Sequence, residues 1–239
     1  MIVAIVQARL GSRRLPRKTL ALIQGKPMIG HVLERLQRAK TLDQIMVATS
    51  DSPTDDDLEV WLKRKGVTYF RGSESDVLDR YYQAARSMSA ETIVRITADC
   101  PLIMPGVIDR VVRDFQAGRA DYVSNTQPPT YPDGLDTEVF SFSALERAWK
   151  EARSPEEREH VTLYFYRSSL FKTRNVVAED GENASCFKWS VDHPKDLRLV
   201  RRIYRKLGTR GMTADWRAIA RMFESGRFES KPSSARARA

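Results

Sequence analysis

Apolar runs and amphipathic stretches alternate along the first part of the chain. The runs are rich in β-branched residues and have the length of strands. The predicted strands are residues 2–6, 45–48, 67–70, 92–96, 122–123, 138–142 and 187–191. Between them, apolar residues recur at helical spacing, as in the stripe of Met28, Ile29, Val32, Leu33 and Leu36. The alternation predicts parallel βαβ units through about residue 125, and with them a doubly wound α/β sheet.

Three predicted helices carry start or stop signals. One has acids at residues 55–57, cations at 63–65 and Gly66 as its stop, which complements the helix dipole. Another begins at Pro105 and ends at Gly118. The sequence Ser154-Pro155-Glu156-Glu157 is typical of a capping box, so a further helix is predicted to begin there.

The middle of the chain, from Asn125 to about residue 137, is rich in turn residues and breaks this rhythm. We predict a single domain over residues 1–226, with an excursion at about 125–171 that lines a pocket or contacts a partner. We expect the excursion to form a homodimer interface, because it holds more aromatic residues than one helical face needs. These are Tyr131, Phe140, Trp149, Tyr164, Phe165 and Tyr166. Residues 227–239 are predicted to be a disordered basic tail.

The composition is typical of a soluble globular protein, with 41% hydrophobic and 30% charged residues. No apolar stretch is long enough to cross a bilayer, and no signal peptide precedes the first strand. Cys100 and Cys186 are too few for a disulfide framework or a cysteine-based metal site. We therefore expect a cytoplasmic protein without membrane insertion.

The formal net charge of +9 raises the question of an anionic partner. The tail and the wet face of a helix near residues 198–207 explain part of it. The loop after the first strand, in VQARLGSRRLPRKTL, has no apolar face that its cations could oppose. Its cations are Arg9, Arg13, Arg14, Arg17 and Lys18. Like charges so close together favour an anion between them, and the absence of interleaved aromatic residues argues against nucleic acid.

The loop differs from the common phosphate-binding loops. It contains neither GxGxxG nor GxxxxGK[ST]. The backbone amides of Gly11 and Ser12 could approach a phosphate closely, and arginine forks with Lys18 suit phosphate oxygens. We predict an exposed loop that binds a phosphorylated ligand; a merely solvated loop is the alternative.

Two aspartates follow predicted strands and are candidates for a divalent metal. Asp99 lies in TADCP and Asp192 in VDHPKDL, and strand ends of a parallel sheet share the rim where the basic loop lies. Magnesium takes one or two carboxylates together with phosphate oxygens. Each aspartate could instead cap the next helix, and Pro101 and Pro194 support that alternative as well.

Several segments resemble one family in order and spacing. They are VQARLGSRRLPRK, TADCPL, VSNT, PDGLDTEVF, REHVT and WSVDHPKDL. Together they resemble the CMP-sugar synthetases, the acylneuraminate and 3-deoxy-manno-octulosonate cytidylyltransferases, and above all their relatives of spore-coat polysaccharide biosynthesis. The resemblance covers residue 1 to about 207. It implies a nucleotide-diphospho-sugar transferase fold with a mixed, mainly parallel sheet between helices, usually in a homodimer.

The resemblance also implies site residues. Arg14 and Lys18 would reach the transferred group, and Asp99 and Asp192 would hold Mg²⁺. The rest of the nucleotide site would be Arg9, Gly11, Ser12 and Arg13 at the phosphates, and Arg71, Gly72, Asp76 and Arg80 at the cytosine and ribose. The family usually has glycine where this chain has Arg17, which could crowd the phosphate turn or add a ligand.

The implied reaction is the attack of a sugar hydroxyl on the α-phosphate of CTP, with pyrophosphate leaving. Positioning and cations supply most of the catalysis in such a reaction, so no obvious protein general base is required. The acceptor, a sugar acid, would contact Asp133, Asp136, Glu138 and His160, with Arg158 or Arg167 at its carboxylate. Alternatively, Asp133 belongs only to a hairpin turn and His160 to a helix start.

Three other functions stay open from the sequence. A glycosyltransferase would usually carry Asp-x-Asp after a strand, and no predicted strand ends in one. A guanylyl- or uridylyltransferase of the same fold would differ in the nucleotide that releases pyrophosphate. A non-catalytic basic binding protein of a polysaccharide pathway would release none.

Overall fold

The computed structural model describes residues 1–208 and 214–224. The strands are β1 (Ile2–Gln7), β2 (Leu22–Ile23), β3 (Lys26–Pro27), β4 (Gln44–Ser50), β5 (Tyr69–Gly72), β6 (Thr92–Thr97), β7 (Tyr122–Ser124), β8 (Glu138–Ser141) and β9 (Thr173–Asn175). The helices are α1 (Met28–Leu36), α2 (Asp56–Arg64), α3 (Val77–Ser87), α4 (Pro105–Gln116), α5 (Phe142–Glu151), α6 (Pro155–Glu159), α7 (Leu163–Arg167), α8 (Pro194–Leu207) and α9 (Trp216–Glu224).

The main sheet has the strand order β5-β4-β1-β6-β8-β7-β9. Strands β5, β4, β1 and β6 run parallel, whereas β8 is antiparallel to both β6 and β7. Strand β9 pairs with β7 in parallel at the far edge. The predicted doubly wound α/β fold is confirmed, as is the mixed, mainly parallel sheet that the resemblance implies.

Strand β1 is apolar from Ile2 to Val6 because helices cover both faces of the sheet. Val3 and Ile5 belong to the hydrophobic cluster that includes α3, α5 and α7. Ala4 and Val6, which alternate with them, belong to the opposite cluster, which includes α1, α2, α4, α8 and α9. The central strand is thereby held in one register, since a slip by one residue would exchange the two sets.

The chain leaves β1 toward β4 and β5 on one side and returns to β6 on the other. Gln7 at the end of β1 lies opposite Thr97 at the end of β6. In open α/β sheets the crevice at such a reversal of strand order is the usual ligand site. The basic loop follows β1 at this crevice, and Asp99 follows β6 at the same crevice.

The prediction of a strand at 187–191 is wrong. Only Lys188 forms an isolated bridge, with Asp133, and the rest of the segment has no regular secondary structure. The segment docks on the turn before β8: the backbone carbonyl of Asp133 accepts from Trp189 and Ser190, at 2.7 and 3.1 Å. Gly134 permits this contact, since a Cβ there would lie 2.7 Å from the Ser190 nitrogen. Strand β9, in contrast, was not predicted, because only three residues of little apolar character form it.

The aromatic residues of the middle segment are mainly used inside the chain. Phe140 and Phe165 are fully buried, and their rings pack with Tyr122 and Phe171. Trp149 stacks on Tyr82. A homodimer stays a prediction, since this packing already explains why most of these rings are present.

The helix predicted from Ser154 is confirmed as α6, with its capping box formed. The predicted tail at 227–239 lies outside the described residues. Among the helices of the described chain, none combines the length and apolar character needed to cross a membrane.

Candidate active site

The basic loop lines a cleft of about 700 Å³ at the crevice between β1 and β6. The cleft is lined by Arg9, Gly11, Ser12, Arg13, Arg14 and Lys18 from the loop, and by Asp99 and Asp192 from elsewhere. Glu74 and Glu159, which the sequence did not single out, also line it. The structure therefore brings all the predicted phosphate-binding residues to one cavity.

Asp55 anchors the loop to the neighbouring strand. Its carboxylate is fully buried and accepts the Leu10 backbone N–H at 2.6 Å, as well as the Ser50 N–H at the end of β4. At the other side of the loop, the Thr19 hydroxyl donates to the Arg9 carbonyl at 2.7 Å. The sequence showed Asp55 only as an acid at a helix start, because its partner lies on a distant segment.

Arg17 adopts a left-handed backbone conformation, with φ of 58°. Glycine adopts this conformation without strain, which is the physical reason for the glycine that the resemblance leads one to expect. The Arg17 guanidinium donates to Asp57 at 2.7 Å and is not among the residues lining the cleft. It therefore neither crowds the phosphate turn nor adds a ligand in this structure.

Lys18 joins the two candidate metal ligands. Its Nζ lies 2.9 Å from Asp99 Oδ2, 3.4 Å from Asp192 Oδ1 and 2.6 Å from the Val191 carbonyl oxygen. The side chain is only 13% exposed, so the expectation of an exposed loop does not hold for this residue. The short 3-10 turn at Lys18–Leu20 directs it inward.

Asp192 has cations on both carboxylate oxygens. Arg14 donates to Oδ1 at 2.8 Å, on the cleft side with Lys18. Lys188 donates to Oδ2 at 2.8 Å from the other side. Lys188 was missed by the sequence analysis, although its spacing of four residues from Asp192 was visible.

Both aspartates are ionised at neutral pH. Burial raises the pKa of Asp99, but the adjacent Lys18 ammonium outweighs burial and holds the pKa below its ordinary value. Burial likewise acts to raise the pKa of Asp192, but Lys188, Lys18 and Arg14 together hold it far below the ordinary range. The site is thus anionic at its centre and cationic around it.

These two carboxylates fit a magnesium ion bound together with a nucleotide. Each lies within 3.4 Å of the same ammonium, so their nearest oxygens are at most roughly 6 Å apart, a span that one small ion covers when a water completes one of the two contacts. In residues 1–208 and 214–224 no group of three or more His, Cys, Asp or Glu side chains could hold a metal. An ion here would therefore take its remaining ligands from phosphate and water, as Mg²⁺ commonly does.

A smaller chamber of about 190 Å³ adjoins the same aspartates. Asp133, Asp136 and Glu138 line it, and their contact with an acceptor stays a prediction. Glu138 has partners within the chain: it pairs with Arg95 and accepts a hydrogen bond from the Thr162 hydroxyl at 2.7 Å. The Glu138 carboxylate belongs to a buried hydrogen-bond network, whereas Asp133 and Asp136 line the chamber.

The predicted cytosine and ribose residues lie outside the cleft. The Arg71 side chain donates to Glu59 and to the Ser50 carbonyl. Asp76 caps α3, where it accepts the Asp79 N–H. Gly72 ends β5, and the Arg80 side chain is buried and donates to the Ser73 carbonyl. The nucleotide roles of Arg71, Gly72, Asp76 and Arg80 stay predictions.

The predicted acceptor contacts after residue 150 are also placed elsewhere. Arg158 is paired with Asp76 at 2.5 Å, and Arg167 is paired with Glu156 at 2.7 Å. His160 is exposed at the end of α6 and is not among the residues lining the chamber. Both arginines are thus paired within the chain, and the acceptor roles of Arg158, Arg167 and His160 stay predictions.

The mixed, mainly parallel sheet with helices on both faces is an α/β nucleotidyltransferase type of fold, and the basic loop and the carboxylate pair lie at its switch point. The model of the cytidylyltransferase family matches residues 3–206. The chain belongs to the cytidylyltransferase family.

Three relatives cover most of the chain. A protein of Methanocaldococcus jannaschii, described as uncharacterized protein MJ1063, is 40% identical over 83% of this chain and 81% of its own length. The spore coat polysaccharide biosynthesis protein SpsF of Bacillus subtilis is 30% identical over 87% of this chain and 88% of its own. The 3-deoxy-manno-octulosonate cytidylyltransferase of Anaeromyxobacter dehalogenans is 30% identical over 87% and 91%.

Solved structures agree with this assignment. A cytidylyltransferase from Leptospira borgpetersenii superposes with a TM-score of 0.88 at 30% identity, covering 95% of this chain and 94% of that one. A CMP:2-keto-3-deoxy-manno-octonic acid synthetase complexed with CTP has a TM-score of 0.64 at 21% identity, over 86% and 98% of the chains. The second similarity shows that the fold is shared.

Proposed function

We propose that this protein transfers CMP from CTP to a hydroxyl of a sugar acid of the nonulosonic or octulosonic type, with release of pyrophosphate. The product would serve surface polysaccharide biosynthesis. The observation that carries the proposal is the Lys18 ammonium held between Asp99 and Asp192 at the base of a cleft lined with arginines. The relatives named for spore-coat and 3-deoxy-manno-octulosonate chemistry support the same class of reaction.

The roles follow from charge and position. Arg9, Arg13 and Arg14 would bind the phosphates, and Gly11 and Ser12 would offer backbone N–H groups. Lys18 would offset the charge that develops on the transferred group and the leaving pyrophosphate. The acceptor would lie in the adjoining chamber beside Asp133 and Asp136, with its hydroxyl toward the shared aspartates.

Asp99 and Asp192 would hold Mg²⁺. The ion would supply positive charge next to the α-phosphate when it is bound. The chain's own contribution is to orient the two carboxylates and to surround them with cations, so that a triphosphate is bound in one pose.

The test is pyrophosphate release from each of the four ribonucleoside triphosphates, with Mg²⁺ and a panel of sugar acids. Of the four nucleotides, we expect only CTP to release pyrophosphate, and only when an acceptor is present. Asp99→Asn should remove it, whereas the control Asp121→Asn, at an exposed position away from the cleft, should not. A preference for another nucleotide, or no release with any acceptor of the panel, would contradict the proposal.

A further inference from the structure

Asp192 needs a support that no strand provides. Asp99 follows β6, which is hydrogen-bonded within the sheet, but the segment before Asp192 has a single bridge at Lys188. The carboxylate of an aspartate can rotate about its side-chain bonds unless other groups hold it. Outer groups that orient metal ligands commonly decide metal affinity.

Lys188 is held in place to act as such a support. Its Nζ lies 2.8 Å from Asp192 Oδ2 and 3.0 Å from the Ser190 hydroxyl. It also lies 3.4 Å from Asp196 Oδ2, at the start of α8. Its side chain is 20% exposed. Burial alone would lower its pKa, but Asp192 outweighs burial and raises the pKa above its ordinary value, so the ammonium stays charged.

Asp196 fixes the backbone at the same point. One of its oxygens accepts the backbone N–H of Asp192 at 3.0 Å and that of His193 at 2.8 Å. This contact is part of the capping box that opens α8. The backbone of Asp192 is thus tied to a helix start, and its carboxylate is tied to Lys188.

The two oxygens of Asp192 therefore have different surroundings. Oδ2 is bound by Lys188, which is not among the residues lining the nucleotide cleft or the chamber. Oδ1 faces Arg14 and Lys18, both of which line the cleft. An ion or a nucleotide in the cleft can reach Oδ1 without displacing Lys188.

We infer that Lys188 is a positioning residue, which orients the Asp192 carboxylate so that Oδ1 points toward the bound metal and nucleotide. The inference rests on the proposed function. Lys188 acts through Asp192 and does not touch the ligand. Its loss therefore weakens metal binding more than it lowers kcat of the enzyme saturated with metal and nucleotide.

The test measures Mn²⁺ binding by electron paramagnetic resonance with CTP present and the acceptor omitted. Lys188→Met keeps most of the side-chain stem and removes the charge, and we expect roughly 10–100-fold weaker Mn²⁺ binding. Lys188→Arg should recover most of the affinity. Lys195→Met, at an exposed position of α8, is the matched control and should bind as the wild type does. In turnover assays the apparent KM for Mg²⁺ should rise by a similar factor, while kcat at saturating Mg²⁺ changes by less.

The outcomes separate the inference from the proposed function. If the wild-type protein shows no CTP-dependent Mn²⁺ binding, the proposed function fails. If the wild type binds and Lys188→Met binds equally well, the positioning role is wrong. Should Lys188→Met not fold, Lys188→Ala is measured instead, since it also lacks a side-chain donor to Asp192 and leaves space for water beside the carboxylate. Wild-type Mn²⁺ affinity and an unchanged KM for Mg²⁺ in that variant would overturn the inference.

Discussion

Replacing Lys18 by methionine leaves two carboxylates facing each other without their shared cation. Lys18 Nζ lies 2.9 Å from an oxygen of Asp99 and 3.4 Å from one of Asp192. For two unit charges about 6 Å apart at an effective dielectric constant of about 20, Coulomb's law gives a repulsion of about 3 kcal/mol. Arg14 and Lys188 still offset part of it on Asp192. We therefore expect Lys18→Met to lower the free energy of unfolding by about 1–3 kcal/mol without Mg²⁺.

A divalent ion should reverse this loss, because it replaces the missing positive charge. Urea denaturation with and without MgCl₂ measures the stabilisation that Mg²⁺ supplies. We expect it to be larger in Lys18→Met than in the wild type, where the Lys18 ammonium already offsets part of the carboxylate charge. Turnover should nevertheless fall by roughly 10²–10³, since a cation at the transferred phosphate is lost.

Lys63→Met is the control for removing a lysine as such. Lys63 is exposed and pairs with a single carboxylate, Glu59. Mg²⁺ should affect this variant and the wild type equally. The reasoning is refuted if Mg²⁺ stabilises Lys18→Met no more than the wild type, or if Lys18→Met turns over CTP within a few-fold of it.

The remaining predictions concern the acids and one glycine. Asp99→Asn and Asp192→Asn should each abolish most Mg²⁺-dependent pyrophosphate release, and the double variant should lose little more, because the two act as a unit. Burial raises the pKa of Glu138, but Arg95 outweighs burial and the net pKa is lowered. Glu138 thus adds stability above the ordinary glutamate pKa of about 4.3, and this stability is lost as the pH falls below it. Urea denaturation between pH 6 and 3 should accordingly show a steeper loss in the wild type than in Glu138→Gln. Gly134→Ala should destabilise the fold by more than about 1 kcal/mol and reduce turnover, because φ is 111° and the Cβ would meet the docked segment. In thermal denaturation Gly106→Ala, where a Cβ meets nothing within 4 Å, should be near neutral.

The basic-loop side of the cleft was predictable from the sequence because it depends on local patterns. An apolar strand followed by a cationic loop, and a second strand followed by Asp99, are both visible in the chain. The pairing of β1 with β6 then brings Gln7 opposite Thr97, and the two loops leave the sheet side by side. Parallel strands with adjacent ends need no further information to form this half of the site.

The other half depends on contacts between distant segments. Asp192 reaches the site because Gly134 lets the turn before β8 accept residues 189–190, not because a strand precedes it. The partners of Arg71 and Arg158 were equally hidden, since each lies on a separate element. A cation that looks available in a sequence can thus already be neutralised within the fold.

The use of Asp192 by the site has a consequence for how the chain completes its fold. The basic loop and Asp99 lie within the first hundred residues and follow β1 and β6, which pair with each other. Asp192, in contrast, belongs to the segment directly before α8. A ligand that bridges the two aspartates binds only when this late segment is docked. By linkage, such a ligand stabilises the docked state by an amount that grows with the logarithm of its concentration once that exceeds Kd. Nucleotide and metal would then act on the assembly of the last quarter of the chain as well as on its chemistry, and opening of the residue 188–196 segment should slow in amide exchange when they are bound.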